Sequence, residues 1–545
     1  MNQRAAALLM SLVMLATGCT EWLDVNSNPN GPQTVASYVY LPPMLHWMVT
    51  APQYDGRFVG RYTQEWTLPG TSLSTWDRMG YDAASDNGAE QWRDVYWSLG
   101  QGLIDMNAKS TADQRWDLLG VGLILKAWGW QVLTDLHGEI IIKEAFDASR
   151  TSFDYDPQAY AYQEVQRLLD SAIVLLRRRD GAVDSTYVLK GDHIYSGSRS
   201  KWLKLAWGMK ARMLNHFSNK AAYDPAAVMA AVDSSFTSNA DDALLAYPAT
   251  STDFQDFNFW GRSRNNITNY RQTLFVLGLM NGTQFGGVVD PRMSRMLSPS
   301  PDGQYRGLDP NVVGFGALTT SQRPNNFFGY SGTGGLGLPA RYIFSDRSKI
   351  PMMTYAELQF IKAEAALRAG NAAASWTAYK NGITAHFDFV NARNRDDNQS
   401  PLPITAAERD SFLANPAIVP PVGSLTLSHI MSQKFIALWG WGHNELWMDM
   451  RRYHYTDVVD TVSKLQVFRG FTPPTNLFPD NGGFVAQRIR PRYNSEYVWN
   501  RAGLAPIGAL ELGYAPLRSP RATRTPSRIS PGRSPRPASS SSTSA

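Results

Sequence analysis

Two short glycine-containing stretches and the histidines are the residues that could support catalysis or cofactor binding. Gly332–Gly337 has the glycine spacing of a dinucleotide fingerprint, but no strand-like run precedes it, and Pro339 follows where a helix would have to open. Gly329–Thr333 lacks the second glycine of a nucleophile elbow. The eight histidines are scattered, and no His-Glu-x-x-His pair occurs. The sequence therefore predicts no catalytic residues and no cofactor.

Acidic residues before Asn87-Gly88 raise a separate possibility. Asp77, Asp82 and Asp86 could supply oxygen ligands to a structural calcium ion, although the spacing of an EF-hand is absent. Carboxylate pairs are too frequent in a chain of this length to indicate a glycosidase. We therefore expect no metal site, with a structural calcium ion as the alternative.

Aromatic residues are abundant, with 17 Trp, 24 Tyr and 23 Phe. Many lie in stretches without helical periodicity, where loops on a rigid scaffold commonly carry binding residues. An aromatic face can stack on a sugar ring or on a peptide side chain. The candidate ligand-binding residues are Trp66, Trp76, Tyr81, Trp260, Phe328 and Tyr330. In the alternative interpretation, these rings only pin long loops onto the helices.

Apolar residues at intervals of three and four predict the helices that position these loops. The predicted segments are Trp92–Met106, Trp116–Leu133, Val165–Leu176, Trp202–Met213, Thr354–Ala369, Trp376–Phe387, Ile430–Leu438 and Glu445–Arg452. A break is predicted after the second segment, at Gly138. The eight segments group as about four helix pairs.

The pair on either side of Gly370-Asn371 resembles a tetratricopeptide-type unit, with small residues on one helix and aromatics on the other. Such a unit cannot bury its apolar face alone, so stacked partners are required. The predicted fold is mainly α, built of tetratricopeptide-like helix-hairpin repeats. The repeats fall at about 91–217 and 350–453, with a loop-rich insertion at about 218–348.

The first residues have the pattern of a secretory signal peptide. Arg4 precedes the apolar run Ala5–Leu15, and Ala16-Thr17-Gly18 then leads to Cys19. The run is too short to span a membrane stably. This ending resembles a bacterial lipobox, and Cys19 is the single cysteine of the chain. We expect residues 1–18 to be removed and Cys19 to carry a lipid anchor with enough acyl chains to hold the protein on a membrane.

The net charge of +5 comes from the two ends of the chain. Arg4 and the six arginines between Arg518 and Arg536 account for all of it, so the remainder is close to neutral. The basic balance therefore does not indicate a nucleic-acid groove. Residues 516–545 form a Pro/Ser/Arg tract without apolar periodicity and are predicted to be disordered. Translation of a wrong frame in a GC-rich gene would give a similar composition.

Several motifs resemble those of the SusD/RagB family. Leu23–Pro32 is similar to the family's mature start, and the chain keeps the order of the family's other motifs over roughly residues 16–500. These are Asp192–Ala206, which has Leu205 where the family has Phe, Asp290-Pro291-Arg292, the alanine-rich helix Glu357–Gly370, and Glu445–Arg452. Pro491-Arg492-Tyr493 matches the closing motif only loosely, because its second proline is missing.

This resemblance implies a SusD-like α superhelix over residues 19–515. It also implies a lipoprotein of the outer membrane that captures nutrient oligomers at the cell surface, either glycan or peptide, and has no catalytic activity. Its expected partner is a TonB-dependent outer-membrane transporter of the SusC type. The alternatives are a surface-anchored glycoside hydrolase or peptidase, and a structural adaptor that holds another protein.

Overall fold

The computed structural model describes residues 35–489, apart from 71, 82–86, 89, 313, 333, 338–339, 398, 400 and 482. The predicted signal peptide, Cys19, the closing motif at 491–493 and the tail at 516–545 lie outside the described residues. Within the described ranges, no helix is long and apolar enough to cross a membrane.

Helices make up the scaffold. In chain order they are α1 Leu41–Tyr62, α2 Glu90–Arg93, α3 Gly100–Ala112, α4 Trp116–His137, α5 Gln158–Arg177, α6 Ser185–Leu189, α7 Arg199–Asn215, α8 Pro225–Asp233, α9 Leu274–Met280, α10 Met293–Met296, α11 Tyr355–Arg368, α12 Ala372–Arg393, α13 Ala406–Ala414, α14 Leu427–Leu438 and α15 His443–Arg452. A π-helical segment, Asp94–Leu99, joins α2 to α3. Short 3-10 turns lie at Ser37–Tyr40, Asn239–Asp241, Phe254–Asp256, Phe315–Ala317, Val422–Ser424 and Pro479–Asn481.

The predicted mainly helical fold is confirmed. Each of the eight predicted segments corresponds to a helix, and the pairs α3/α4, α5/α7, α11/α12 and α14/α15 are in contact. The break after α4 lies at Gly138, whose φ of 83° is a conformation that glycine adopts without strain. Thr354 caps α11 by accepting a hydrogen bond from the Glu357 N–H.

Six of the described helices are not among the predicted segments, namely α1, α6, α8, α9, α10 and α13. In α1, Pro42 and Pro43 lie in the first turn, where no N–H is needed, and the helix continues through Pro52. Helix α8 lies inside the predicted loop-rich insertion and packs against α7 and α11. The side chain of Asp224 caps α8 by accepting hydrogen bonds from two N–H groups. The helical scaffold therefore extends beyond residue 217.

Short strands fasten the insertion to the rest of the chain. They form three antiparallel pairs: β1 Trp66–Thr67 with β3 Arg271–Gln272, β2 Ala243–Leu245 with β4 Ile350–Met353, and β5 Val458–Asp460 with β6 Leu465–Gln466. In the first pair, Trp66 lies opposite Gln272. In the second, Ala243 lies opposite Met353, immediately before α11. The insertion is thus tied both to the segment after α1 and to the central helix pair.

The motif at 192–206 is held together by hydrogen bonds among its own residues. The buried carboxylate of Asp192 accepts hydrogen bonds from the N–H groups of Ile194, Tyr195 and Gly197 and from the indole N–H of Trp202, at 2.8–3.0 Å. Gly197 has a φ of 78°, and a Cβ there would lie 2.3 Å from a backbone oxygen. The motif needs Asp192, Gly197 and Trp202 because the Asp192 carboxylate holds the turn that precedes α7.

A buried network of charges connects helices that are distant in sequence. The guanidinium of Arg212 on α7 forms a bidentate pair with Glu357 on α11 at 2.7 and 2.8 Å, and it lies 3.4 Å from Glu445 on α15. The imidazole of His216 lies between Glu445 and Asp135 on α4. Burial opposes the charged form, but these two carboxylates outweigh it and raise the pKa of His216 to about 9.

The same network continues through the motif at 445–452. Arg452 donates hydrogen bonds to Glu364 on α11 and to Asp449 on its own helix. Lys434 on α14 pairs with Asp449 at 2.7 Å. All four side chains are almost completely buried. Because a lone buried charge is costly, these pairs hold α11, α14 and α15 in one arrangement.

Candidate ligand-binding site

Three loop segments come together around the indole ring of Trp66. The centroid of this ring lies 5.4 Å from that of Trp260, 6.4 Å from that of Tyr270 and 5.9 Å from that of Phe327. Residues from 67–77 and from 308–315 line a shallow crevice between two of these segments. We call the segments 66–81, 254–271 and 308–337 the loop cluster. This arrangement agrees with the alternative interpretation, in which the rings pin long loops onto the helices.

Four of the six predicted ligand-binding residues are buried. Trp66, Trp260 and Phe328 have no exposed surface, and Trp76 is 4% exposed. In this structure, they present no ring face to a ligand, so the interpretation of these four as stacking residues is corrected. Long loops cannot bury enough apolar surface against the helices alone, and these rings form the apolar core of the loop cluster itself.

The two predicted tyrosines retain access to solvent. Tyr81 is half-buried, and its ring packs edge to face against Trp76 at 5.5 Å. Tyr330 is 40% exposed. A Cβ on Gly335 would lie 2.1 Å from the Tyr330 ring, and one on Gly332 would lie 2.6 Å from it. The glycines therefore allow the ring to lie against the loop backbone.

Asn326 fixes the backbone at Tyr330. Its amide oxygen accepts hydrogen bonds from the N–H groups of Phe328 and Tyr330, both at 3.0 Å. Its amide nitrogen donates to the carbonyl groups of Thr268 and Gly335, both at 2.9 Å. One buried amide thus joins two segments of the loop cluster and sets the position of the exposed ring.

Arg271 supports the same loops from inside. Its guanidinium is buried and donates to the carbonyl oxygens of Thr268, Tyr270, Pro324 and Gly332. Burial lowers the pKa of Arg271 to about 10, so the side chain remains charged at neutral pH. Because every acceptor is a backbone carbonyl, Arg271 stabilises the shape of the loops and is not available to a ligand.

A cation surrounded by rings lies beside this cluster, on α1. The guanidinium carbon of Arg57 is 4.1 Å from the ring centroid of Tyr54 and 5.3 Å from those of Phe58 and Phe259. Its Nε–H donates to the Tyr54 carbonyl oxygen at 3.2 Å. Within the described part of the chain, Arg57 forms no salt bridge, and Arg57 and Tyr54 are both only half-buried. The remaining N–H groups of Arg57 can therefore donate to a ligand.

Tyr54 and Arg57 were missed because α1 was missed. Residues 54, 57 and 58 are spaced by three and four, which places a tyrosine, an arginine and a phenylalanine on one side of a helix. That spacing was the available signal. It has meaning only once the segment is recognised as a helix, and Pro52 obscured the helix.

The predicted calcium ligands are not brought together among the described residues. Asp77 is buried, and its two carboxylate oxygens accept hydrogen bonds from Arg61 at 2.7 and 2.8 Å. Ser74 donates to the same carboxylate. Asp77 is therefore occupied by a salt bridge, which corrects its assignment as a calcium ligand. Asp82 and Asp86 lie outside the described residues. Groups of three or more potential metal ligands do not occur in the part that the structure describes.

The accessible groups of the loop cluster and its border include the tyrosine rings at 54, 81 and 330, the guanidinium of Arg57 and the amide of Asn269. Asn269 is exposed, and its amide oxygen accepts the Gly334 N–H at 2.9 Å. Rings, amides and a guanidinium bind hydroxyl groups and the apolar faces of sugar rings. This set of groups is suited to holding a ligand.

A comparison with protein families identifies the chain. Residues 32–467 match the SusD-like family model, described as starch-binding and associating with the outer membrane. The chain belongs to the SusD-like family. SusD homologues are binding proteins rather than enzymes, and this SusD-like chain is accordingly a binding protein of a family associated with the outer membrane. No match was found among curated proteins.

Solved structures of SusD homologues share the fold. A SusD/RagB protein from Bacteroides thetaiotaomicron is 21% identical, with a TM-score of 0.62 over 87% of this chain and 96% of its own. A chitin-binding SusD homologue from Flavobacterium johnsoniae is 20% identical, with a TM-score of 0.62 over 86% and 94%. A further chitin-binding protein is 20% identical, with a TM-score of 0.64 over 86% and 95%. In this structure, the motifs at 192–206 and 445–452 lie in the helical scaffold and not in the loop cluster.

Proposed function

We propose that this SusD-like protein captures oligosaccharides at the loop cluster and passes them to a TonB-dependent outer-membrane transporter of the SusC type. The observation that carries the proposal is the guanidinium of Arg57. It lies among three aromatic rings, is half-buried, and forms no salt bridge with a described residue. A guanidinium with free N–H groups beside aromatic rings offers donors to sugar hydroxyls and faces for stacking.

The choice of a glycan over a peptide is supported by the relatives. The family is described as starch-binding, and two of the structural neighbours are chitin-binding. The crevice of the loop cluster at residues 67–77 and 308–315 is small, with a volume of about 20 Å³. An open surface of rings suits an extended chain of sugars.

Titration calorimetry with starch-derived and chitin-derived oligosaccharides tests the binding role. We expect Arg57→Met to weaken binding by about tenfold, because a hydrogen bond to a charged group contributes about 1.5–3 kcal/mol. Lys143→Met is the matched control, since the Lys143 ammonium lies 4.2 Å from the Tyr160 ring centroid on the distant helix α5. If oligopeptides bind in an Arg57-dependent manner and no oligosaccharide binds, the glycan proposal is wrong.

The proposed location and partner rest on Cys19 and on the family. A lipid on Cys19 would hold the domain at the outer membrane. Cys19→Ala is then expected to move the protein from the membrane fraction to the soluble fraction, and retention of the variant in membranes after a high-salt wash would contradict lipid anchoring. Affinity purification from detergent-solubilised membranes tests the partner, and a TonB-dependent transporter is expected among the co-purified proteins.

A further inference from the structure

The side of α1 that carries Tyr54 and Arg57 keeps exposed surface over most of the helix. Pro43, His46 and Trp47 are also exposed or half-buried. Because an α-helix has 3.6 residues per turn, these five residues lie within about 100° of one another around its axis. We call this surface the α1 stripe. From Arg57 to Trp47 it runs about 15 Å along the helix, away from the loop cluster.

At its far end, the α1 stripe meets a second indole ring through a shared cation. The guanidinium carbon of Arg93 lies 4.5 Å from the ring centroid of Trp97 and 5.9 Å from that of Trp47. The Nη1–H of Arg93 donates to the carboxylate of Glu90. Arg93 is thereby held in place, and it keeps two rings from different elements close together.

Trp97 is the more accessible of these two rings. It is 68% exposed, whereas Val95 and Leu99 of the same π-helical segment are buried. Helical turns of this kind are rare and frequently lie at functional sites. A ring with this exposure contributes little to the core, so the packing of the scaffold does not explain Trp97. Its indole face is available for stacking on a sugar ring.

Polar groups border the α1 stripe between its two ends. The Nε2 atom of His46 lies 3.1 Å from the amide oxygen of the exposed Gln255, and Arg264 donates to the same oxygen at 3.4 Å. Gln255 and Arg264 belong to the segment 254–271, so the loop cluster borders the stripe along its middle. Amide and imidazole groups exchange hydrogen bonds with hydroxyl groups. The surface between Arg57 and Trp47 therefore also suits a sugar chain.

We propose that the α1 stripe continues the oligosaccharide site, with Trp47 and Trp97 as its distal stacking rings. This inference rests on the proposed function, since it assigns a second set of contacts to the same ligand. An oligosaccharide that binds Tyr54 and Arg57 would extend along the stripe and reach the two indole rings. A disaccharide is too short to contact both ends, whereas a hexasaccharide is long enough. The site would then select longer oligomers.

Titration calorimetry with disaccharides and hexasaccharides of the starch and chitin series tests this extension. Wild-type protein is expected to bind one hexasaccharide per molecule, more tightly than the disaccharide. Trp97→Ala should weaken hexasaccharide binding by about two- to tenfold, for one lost ring, and leave disaccharide binding unchanged. Arg57→Met should weaken the binding of both lengths. Trp97→Phe keeps an aromatic ring and should retain most of the affinity for the hexasaccharide.

Trp207→Ala is the matched control. Trp207 is a half-buried tryptophan of α7, and the Arg177 guanidinium carbon lies 5.9 Å from its ring centroid. This variant should bind both lengths normally. Because Trp97 is largely exposed, Trp97→Ala should leave the thermal midpoint nearly unchanged, so a loss of binding is not a loss of folding.

The outcomes separate this extension from the proposed function. The extension alone is overturned if Arg57→Met weakens hexasaccharide binding while Trp97→Ala does not, if Trp97→Ala affects both lengths equally, or if two hexasaccharides bind per molecule. Normal hexasaccharide binding by Trp97→Ala, with loss of the co-purified transporter, would assign the rings to the transporter instead. If neither length binds to wild-type protein, the proposed function fails and the extension fails with it.

Discussion

The indole rings of Trp66 and Trp260 meet edge to face with their centroids 5.4 Å apart, and neither side chain has any exposed surface. The two residues are almost two hundred positions apart in the sequence. Their contact joins the segment after α1 to the insertion and forms the centre of the loop cluster. The exposed groups nearby, Tyr330 and Arg57, are therefore held on a rigid base.

Trp66→Ala is expected to lower the free energy of unfolding by about 3–5 kcal/mol, because it leaves a large cavity among Trp260, Tyr270 and Phe327. Denaturant unfolding measures this change. Tyr330→Ala is the comparison, since Tyr330 is 40% exposed and its removal should cost less than about 1 kcal/mol. Equal stability of the two variants would show that Trp66 is not a packing residue.

Gly335→Ala is expected to weaken oligosaccharide binding without a large loss of stability. A Cβ at position 335 would lie 2.1 Å from the Tyr330 ring, so the ring must move off the loop backbone. If Tyr330 stacks on a sugar, the loss should resemble that of Tyr330→Ala, roughly a two- to tenfold weakening for one stacked ring. Calorimetry with the best-binding oligosaccharide measures it.

Gly316→Ala is a suitable control, because nothing lies within 4 Å of a Cβ at that position. It belongs to the same loop cluster and introduces the same methyl group. Normal binding by Gly335→Ala, or equal weakening by Gly316→Ala, would show that the ring of Tyr330 is not part of the binding site.

His216 is expected to make stability depend on pH in the neutral to alkaline range. The pKa of His216 is about 9 in the folded protein, above its ordinary value of 6.5. Protonation therefore stabilises the fold fully below pH 6.5, and this contribution disappears as the pH rises through 9. The difference corresponds to about 3 kcal/mol. Urea unfolding between pH 6 and 9.5 measures it.

The variant His216→Gln is expected to flatten this part of the pH profile. The control is His454→Gln, since His454 is an exposed histidine that pairs with Asp457 at 2.9 Å. A pH profile that keeps its slope in His216→Gln would assign the dependence to another group.

Arg452→Met is expected to lower the free energy of unfolding by about 3–5 kcal/mol, because it leaves the carboxylates of Glu364 and Asp449 buried without this partner. Arg178→Met is the matched control. It removes an arginine from an exposed pair with Asp180, and such pairs contribute about 1 kcal/mol or less. Comparable losses in the two variants, measured by denaturant unfolding, would contradict a structural role for the buried network.

The sequence predicts the structure well where a residue pattern has only one structural explanation. The apolar stripe of α4 and the glycine after it are predicted correctly. A buried helix face requires apolar residues at regular spacing, and a positive φ favours glycine, so both can be recognised in the sequence. Helix α1 is not among the predicted segments, and its three prolines make it hard to recognise unless their positions in the helix are known. Because α1 was not predicted, Arg57 and Tyr54 were not identified as candidate binding residues.

The aromatic residues of the loops were harder to interpret. Trp66 and Tyr330 both occur outside helical stripes, and nothing in their local sequence separates a buried ring from an exposed one. The distinction depends on contacts with distant segments, such as Trp66 with Phe327. Among the six candidates, the two that are not buried are both tyrosines.

The buried charge network has a consequence for the order of folding. Arg212 lies on α7 and His216 directly follows this helix. Asp135 on α4 precedes them in the chain, but their other carboxylate partners, Glu357 on α11 and Glu445 on α15, come far later. Because the chain is synthesised from its N-terminus, α7 is made before Glu357 and Glu445, and these two ion pairs can form only once residue 445 has been added. The charge network of the scaffold is therefore completed by α15.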